Sequence, residues 1–454
     1  MRPIHLPSVT LLLALTAPAV TAQIALRPLA TVNVDSTANP ANPEFVGSNP
    51  IAVAWDGNDL YVAGFNSSGS TNNTGIVRIT GALGTPSFGA AFGVLSTPSL
   101  RGYSGLAIQG GQVAAAYDNG GASADGIAVY DNAGNQLWAK NARGGSGVAF
   151  DPGFPGGNPA LGQGVAWATF GSGRRPLQDT ATGADIWTTA NGMVILTSEG
   201  TFWRDLDFDA ATGDVYLREG NNVIRWVRNG DNSVTSSSIP FDPTDSDFVN
   251  GQNIAFCQVG GTQAVFFNDR SQTVGGQAFF DVVNVIAPDG TPLVVDWGGF
   301  TAPAGVGAYD FSYDAASGTL AICDFANRDV HLFAVEETCS TLGTSGSGLP
   351  GTTLTFTLSG ADPNAPAGLV LAAGRGVTSL SLGSFGQLDL GLAQPLVFIA
   401  MGLTDASGSI SLAAPIPTGT QLAELHSQAF SVTQAPSGVL GFCTSNVDVS
   451  SIGQ

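Results

Sequence analysis

Lysine is all but missing from this chain: Lys140 is the only one among 454 residues. Histidine and methionine occur 3 times each, and charged residues reach 11%, well below the roughly 25% of an average soluble domain. There is no long Ala/Glu/Lys/Leu run, which excludes helical bundles and coiled coils. Basic residues number 15 against 35 acidic ones, a net charge of −20. Such a surface repels phosphate backbones and has no Lys/Arg cluster to release counterions, so nucleic acid is excluded as a partner. Docking on anionic lipid is excluded for the same reason. No stretch reaches about 18 unbroken apolar residues, so no membrane span is expected.

The shortage of histidine narrows the chemistry. Apart from His5 there are His331 and His426, far apart in the chain. His331 lies between Val330 and Leu332 in a strand-like run, a structural position. There is no Gly-x-Ser-x-Gly elbow, no His-Glu-x-x-His zinc motif and no phosphate-cradling Gly-x-x-x-x-Gly-Lys loop.

What the chain has in quantity is glycine, 61 residues, with 25 prolines and 43% hydrophobic residues. That mixture describes short strands joined by tight turns around a substantial core. Met1 to Ala22 begins with a basic residue, continues through the apolar Val9 to Leu15, and ends in Ala19-Val20-Thr21-Ala22. These are the parts of a secretory signal, with cleavage expected after Ala22. The expected location is therefore extracellular, at the cell surface or in the periplasm.

From about residue 45 to 336 one pattern recurs. Its instances are Ala52-Val53-Ala54-Trp55-Asp56, Gly105-Leu106-Ala107-Ile108-Gln109, Gly147-Val148-Ala149-Phe150-Asp151, Asp205-Leu206-Asp207-Phe208-Asp209, Asn253-Ile254-Ala255-Phe256-Cys257 and Asp310-Phe311-Ser312-Tyr313-Asp314. Alternation places the two large residues of each unit on one face and the small or acidic ones on the other. A Gly turn and a second apolar strand follow, as in Asp59-Leu60-Tyr61-Val62-Ala63 and Gly318-Thr319-Leu320-Ala321-Ile322. Short strands repeating every 40 to 60 residues or so mark β-propeller blades. Six units predict six blades, or seven if one is degenerate, and Ile24 to Val34 is expected to complete the last blade. The irregular spacing leaves a pair of β-sandwiches as the other arrangement.

Leu206-Asp207-Phe208-Asp209-Ala210-Ala211-Thr212-Gly213-Asp214-Val215-Tyr216 resembles the blade motif of NHL and gluconolactonase-like propellers. Asp179-Thr180-Ala181-Thr182-Gly183-Ala184-Asp185-Ile186-Trp187 is similar to the repeat of quinoprotein-type propellers. Those enzymes carry it in nearly every blade, often with an adjacent cysteine pair. Here no two cysteines adjoin, so no quinone is expected.

Past residue 336 the composition shifts. The expected organisation is a signal over 1–22, a propeller over 23–336, a Ser/Gly-rich joint over 337–351 and an antiparallel β-sandwich over 352–454. The chain as a whole is expected to be all-β. Ala414-Pro415-Ile416-Pro417, Gln428-Ala429-Phe430 and Gly438 to Asn446 resemble a C-terminal domain of secreted proteins from planctomycetes and similar bacteria, across 337–454. That family has no assigned activity, and its place behind diverse extracellular modules implies an attachment, sorting or structural role. Of the four cysteines, Cys339 and Cys443 flank this segment and are the expected disulfide. Cys257–Cys323 is the less favoured pair. No cysteine spacing suits zinc.

No catalytic residue is singled out. The sharpest polar set is Asp205, Asp207 and Asp209, which share a strand face and need partners against mutual repulsion. Calcium with added carbonyl ligands would serve. So would Arg204 and Arg218, with Asp209 simply beginning a turn as Asp56, Asp151 and Asp314 do. Asp242, Asp245 and Asp247 form a second, weaker loop set. Trp203, Trp226 and Trp297 either stack on a sugar or pack between blades, and the period of the pattern favours packing. The leading expectation is a non-enzymatic binding or scaffold protein. Its ligand, a glycan or envelope component, would meet the loop face of the ring. The alternative is a calcium-dependent hydrolase or lactonase of the gluconolactonase-like kind, which requires carboxylates to converge at the channel.

Overall fold

The computed structural model describes residues 22–453 except 67–72, 96–100, 119–124, 142–144, 158–162, 170–176, 187–202, 221, 231–233, 242–252, 260–261, 269–281, 299, 304–306, 339, 383–386, 422 and 435–439. The expected signal thus lies outside the described residues, as do Asp242, Asp245, Asp247 and Cys339.

Six blades of β-strands stand around a central channel, antiparallel except where Val294–Asp296 runs parallel to Ala22–Asn33. Their innermost strands are Asn49–Trp55, Gly102–Gln109, Gly145–Pro152, Trp203–Phe208, Ile254–Val259 and Ala308–Asp314. These are the six sequence units, here blades 1 to 6. Each inner strand lies against the next, and the sixth lies against the first, so the ring is closed with six blades. Within a blade the strands meander outward, as in blade 4, where Trp203–Phe208, Val215–Glu219, Asn222–Arg228 and Val234–Phe241 pair in order. The last blade is finished by the N-terminal strand Ala22–Asn33, which pairs antiparallel with Asp329–Glu337.

Alternation along the inner strands decides what each residue meets. The second and fourth residues of a unit face the preceding blade, and the first, third and fifth face the following one. Six buried apolar clusters result, one at each junction between blades. The junction of blades 2 and 3, for example, holds Ala114, Ala116 and Val129 against Val148, Val165 and Trp167. Small residues on the forward face let the next blade approach: a Cβ on Gly105 would stand 3.0 Å from the Gly147 Cα.

This arrangement corrects the Cys257–Cys323 pairing. Both cysteines are free and buried. Cys257 belongs to the cluster between blades 5 and 6 and Cys323 to the cluster between blades 6 and 1. The sheet of blade 6 therefore separates them.

The C-terminal region is a sandwich whose central sheet runs Val397–Leu403, Pro366–Ala372, Ala423–Gln434, Leu440–Ile452. Leu369 and Ala429 on one face pack with Leu342, Leu354 and Phe356 of a three-stranded sheet. Val370 and Ala372 on the other face pack with Leu388 and Leu390 of the hairpin Arg375–Ser381 and Gln387–Leu392. The central sheet is thus covered on both faces, one layer more than a two-sheet sandwich. The Ser/Gly-rich stretch is not only a joint, because Thr341–Ser345 is a strand paired with Thr353–Ser359. Asn446 anchors it, accepting from Leu342 N at 2.8 Å and donating to Leu342 O at 3.0 Å.

Candidate functional site

The first residues of the six units are Ala52, Gly105, Gly147, Asp205, Asn253 and Asp310. Blades 1 to 3 thus carry small groups at this position and blades 4 to 6 polar ones, of which Asp205 and Asp310 line the channel. Asp205 accepts from Ile254 N of blade 5 at 3.0 Å and from Leu206 N. Asp207 accepts from Phe256 N at 2.7 Å and Phe208 N at 2.8 Å. Asp310 accepts from Val53 N of blade 1 at 2.7 Å, from Phe311 N at 2.9 Å and from Asn253 Nδ2 at 2.7 Å. Ser312 continues the pattern, accepting from Trp55 N at 2.9 Å. An innermost strand leaves alternate N–H groups on its channel edge without a sheet partner, and these side chains supply one. The carboxyls are clamps between blades.

Burial sets their protonation. Removal from water raises Asp207 to about 6. Burial also raises Asp310, to about 7, and raises Asp205 well above the usual carboxylate range, with the nearby Asp310 adding to the Asp205 shift. Desolvation disfavours the charged form, and two like charges in one channel cannot both be held cheaply.

Two of the three acids singled out from sequence therefore share the channel. The third does not. Asp209 caps its own turn, accepting from Ala211 N and Thr212 Oγ1 at 2.8 Å each. Asp56, Asp151 and Asp314 do likewise, through Asp59 N, Gly153 N and Ser317 N. Among the described residues no group of three or more His, Cys, Asp or Glu side chains is arranged to hold a metal ion. Asp310 was missed as a partner of Asp205, although aligning the first residue of each unit would have brought the two together.

The tryptophans named above pack. Trp203 is buried in the cluster between blades 3 and 4 with Trp226 against it, and Trp297 meets Phe333 edge-on. His331 is likewise structural, its Nδ1 3.0 Å from Thr31 Oγ1 in the closing strand.

Around the carboxyls lies a channel cavity of about 230 Å³, reaching Trp55, Gln109, Phe150 and Tyr313 at the ends of the inner strands. Gln109 and Phe150 also border a second, larger groove of about 730 Å³ between blades 2 and 3. The two cavities adjoin through these residues.

Fold and site together define a six-bladed β-propeller with a carboxyl-clamped channel that adjoins a groove between two blades. No family model and no curated protein matches the chain. Among solved structures it is similar to an auxiliary nutrient binding protein from Bacteroides thetaiotaomicron, at 12% identity and a TM-score of 0.46 over 70% of this chain and 77% of that one. It is also similar to the β-propeller domain of Myceliophteria thermophila Cps50 (Swd1), at 11% identity and a TM-score of 0.38 over 63% and 83%. With both scores below 0.5, the propeller rests on the strand register of this chain. Among the described residues no helix is long and apolar enough to cross a membrane.

Proposed function

We propose that this chain is a secreted, non-enzymatic binding protein that takes its ligand at the channel mouth and the adjoining groove, with the C-terminal domain as an attachment or structural module. The observation that carries the reading is the use made of the channel carboxyls. Asp205, Asp207 and Asp310 each accept at least two hydrogen bonds, most of them from backbone N–H groups, and so hold the ring together. The lone pairs given to those N–H groups are withdrawn from a calcium ion or a substrate proton. Export is supported by the basic start, apolar middle and small-residue end of residues 1–22.

The hydrolase reading has one observation in its favour: two acids with raised proton affinity converge in one channel. A lactone and ester screen, run with melts in EDTA and in calcium, separates the two. The expected result is no turnover above buffer and a melting temperature unchanged by EDTA. Turnover that is lost in Asp310→Asn would replace the binding reading with the hydrolase one.

For the C-terminal domain we propose the Cys339–Cys443 bond. Cys443 is buried and its Sγ lies 3.6 Å from Ser340 Oγ, while Ser340 bridges Ser445. Closing a loop of about 100 residues is worth roughly 4–5 kcal/mol in the chain-entropy model. Non-reducing peptide mapping is expected to recover 339 and 443 in one linked species, and alkylation of both in the native protein would refute the bond.

A further inference from the structure

All six blade junctions are tied across by polar contacts. Arg228 of blade 4 reaches Asp151 of blade 3 at 2.6 Å, and Gln263 of blade 5 reaches Asp209 of blade 4 at 3.2 Å. Tyr313 of blade 6 donates to Gln258 O of blade 5 at 2.8 Å. Trp55 Nε1 of blade 1 meets Thr319 Oγ1 of blade 6 at 2.6 Å, and Arg78 of blade 1 meets Asn132 O of blade 2 at 3.2 Å. Blades 2 and 3 are tied at their outer edge, where Trp138 Nε1 donates to Thr180 O at 2.9 Å. Ser104 Oγ also donates to Gly145 O at 2.8 Å, and the groove of about 730 Å³ lies at one end of this junction, beyond its packed core and beside the turn at Gly110.

The lining is specific. Gln109 and Gln112 are paired across the hairpin turn Gly110-Gly111, whose φ values of 58° and 76° suit a two-residue primed turn. As a cross-strand pair they share one sheet face. It is the face of Ala107 and Ala114, which meets blade 3. Gln163 stands two residues before Val165 and so faces blade 2 from the opposite wall. Three amides therefore occupy positions where the junction core would otherwise continue. None of the three has a side-chain hydrogen bond among the described residues. Phe150, half-buried, supplies a ring beside them. Asp179 also borders the groove, but its Oδ1 already serves Ala181 N, Thr182 N and Thr182 Oγ1.

We infer that this groove binds a neutral, polyhydroxylated chain, that is, an uncharged glycan. The inference rests on the binding reading above and names its ligand class. A primary amide both donates and accepts without charge, which suits vicinal hydroxyls, and a partly exposed ring suits the C–H face of a sugar. With no Arg or Lys in the lining, an anionic sugar would find no counter-charge on a chain of net charge −20.

The test is calorimetric titration with cellohexaose, laminarihexaose and maltohexaose, alongside an oligogalacturonate and an uncharged peptide. At least one neutral hexasaccharide should bind one-to-one. Gln109→Ala combined with Gln163→Ala should weaken it tenfold or more at an unchanged melting temperature, while Gln136→Ala on the exposed outer strand should not. Neutral sugars that fail to bind, or bind the double variant equally, overturn the inference. If the oligogalacturonate or peptide then saturates the protein, the ligand class alone has failed; if no probe binds, the binding reading fails with it.

Discussion

Gly147→Ala is expected to lower the stability of the ring by at least about 3 kcal/mol, the upper part of the range for overpacked cores. The added Cβ would lie 2.5 Å from the Asp205 Cα and 2.9 Å from Arg204 O, and would fall on Asp205 Oδ1. Two of these three are backbone atoms of the neighbouring blade. They cannot swing aside, because the Asp205 carboxyl is itself fastened to Ile254 N of the next blade. The insertion would wedge apart blades 3 and 4, and through the clamp disturb blade 5. Gly84→Ala in blade 1 is the matched control, since a Cβ there meets nothing nearer than 4.0 Å, and it should stay within about 0.5 kcal/mol. Urea titrations followed by tryptophan fluorescence compare the two. A Gly147→Ala midpoint equal to that of the control would show that the inner strands are not in rigid contact.

The second large effect is a decline in stability from mildly acidic to alkaline pH. Asp207 and Asp310 sit at about 6 and about 7 in the folded protein, and Asp205 is raised as well, against roughly 3.9 in an unfolded chain. Between those values the folded state holds protons that the unfolded state has released, so stability falls as pH rises from about 4 through about 7 and then levels. For Asp207 alone, a rise of about two units corresponds to roughly 3 kcal/mol. Carboxylates capping turns work the other way. Hydrogen bonds from Asn135, Thr182 and Ser407 hold Asp131, Asp179 and Asp405 below their ordinary values, so their contribution is lost as pH falls below about 4. The maximum should therefore fall near pH 4–5. Asp310→Asn keeps an acceptor for Val53 N and removes the charge. It gives up the acceptor that serves Phe311 N and Asn253 Nδ2, so it should start below the parent at pH 4–5 and flatten the decline, closing the gap toward pH 8. Asp310→Ala leaves Val53 N and Asn253 unpaired and should cost about 2–3 kcal/mol near pH 4–5, a cost that shrinks toward pH 8 because this variant lacks the titrating group too. Melts from pH 4 to 9 decide it, and a parent whose melting temperature rises steadily to pH 8 would mean that the channel carboxyls ionise freely.

The inner strands were legible because each unit repeats two large residues at alternate positions, and those residues must bury themselves whatever the rest of the blade does. The same alternation carried the closing role of the N-terminal strand. What a unit cannot reveal alone is its neighbour across the ring: Asp205 and Asp310 belong to blades 4 and 6, and only ring closure brings them together. The groove was hidden for another reason. Gln109 stands where most other units place a turn aspartate, and a departure from a repeat looks like noise until the tie it should have made is seen to be missing. Thr341–Ser345 was obscured by its Ser/Gly-rich composition, although it pairs with the nearby Thr353–Ser359 and is anchored by Asn446, 104 residues away from Leu342.

The seam at blade 6 has a consequence for the order in which the molecule is made. Thr31 meets His331 across 300 positions, so this strand, made before the blades it joins, must wait for nearly all of the propeller before it finds its place. Until then Ile24, Leu26 and Val32, each almost fully covered in the finished ring, remain exposed on an extended segment. Contacts this distant in sequence form late and slowly, and an unmatched apolar strand is open to pairing with the wrong chain in the meantime. The strand that closes the circle in the native molecule is thus also its most exposed element during assembly.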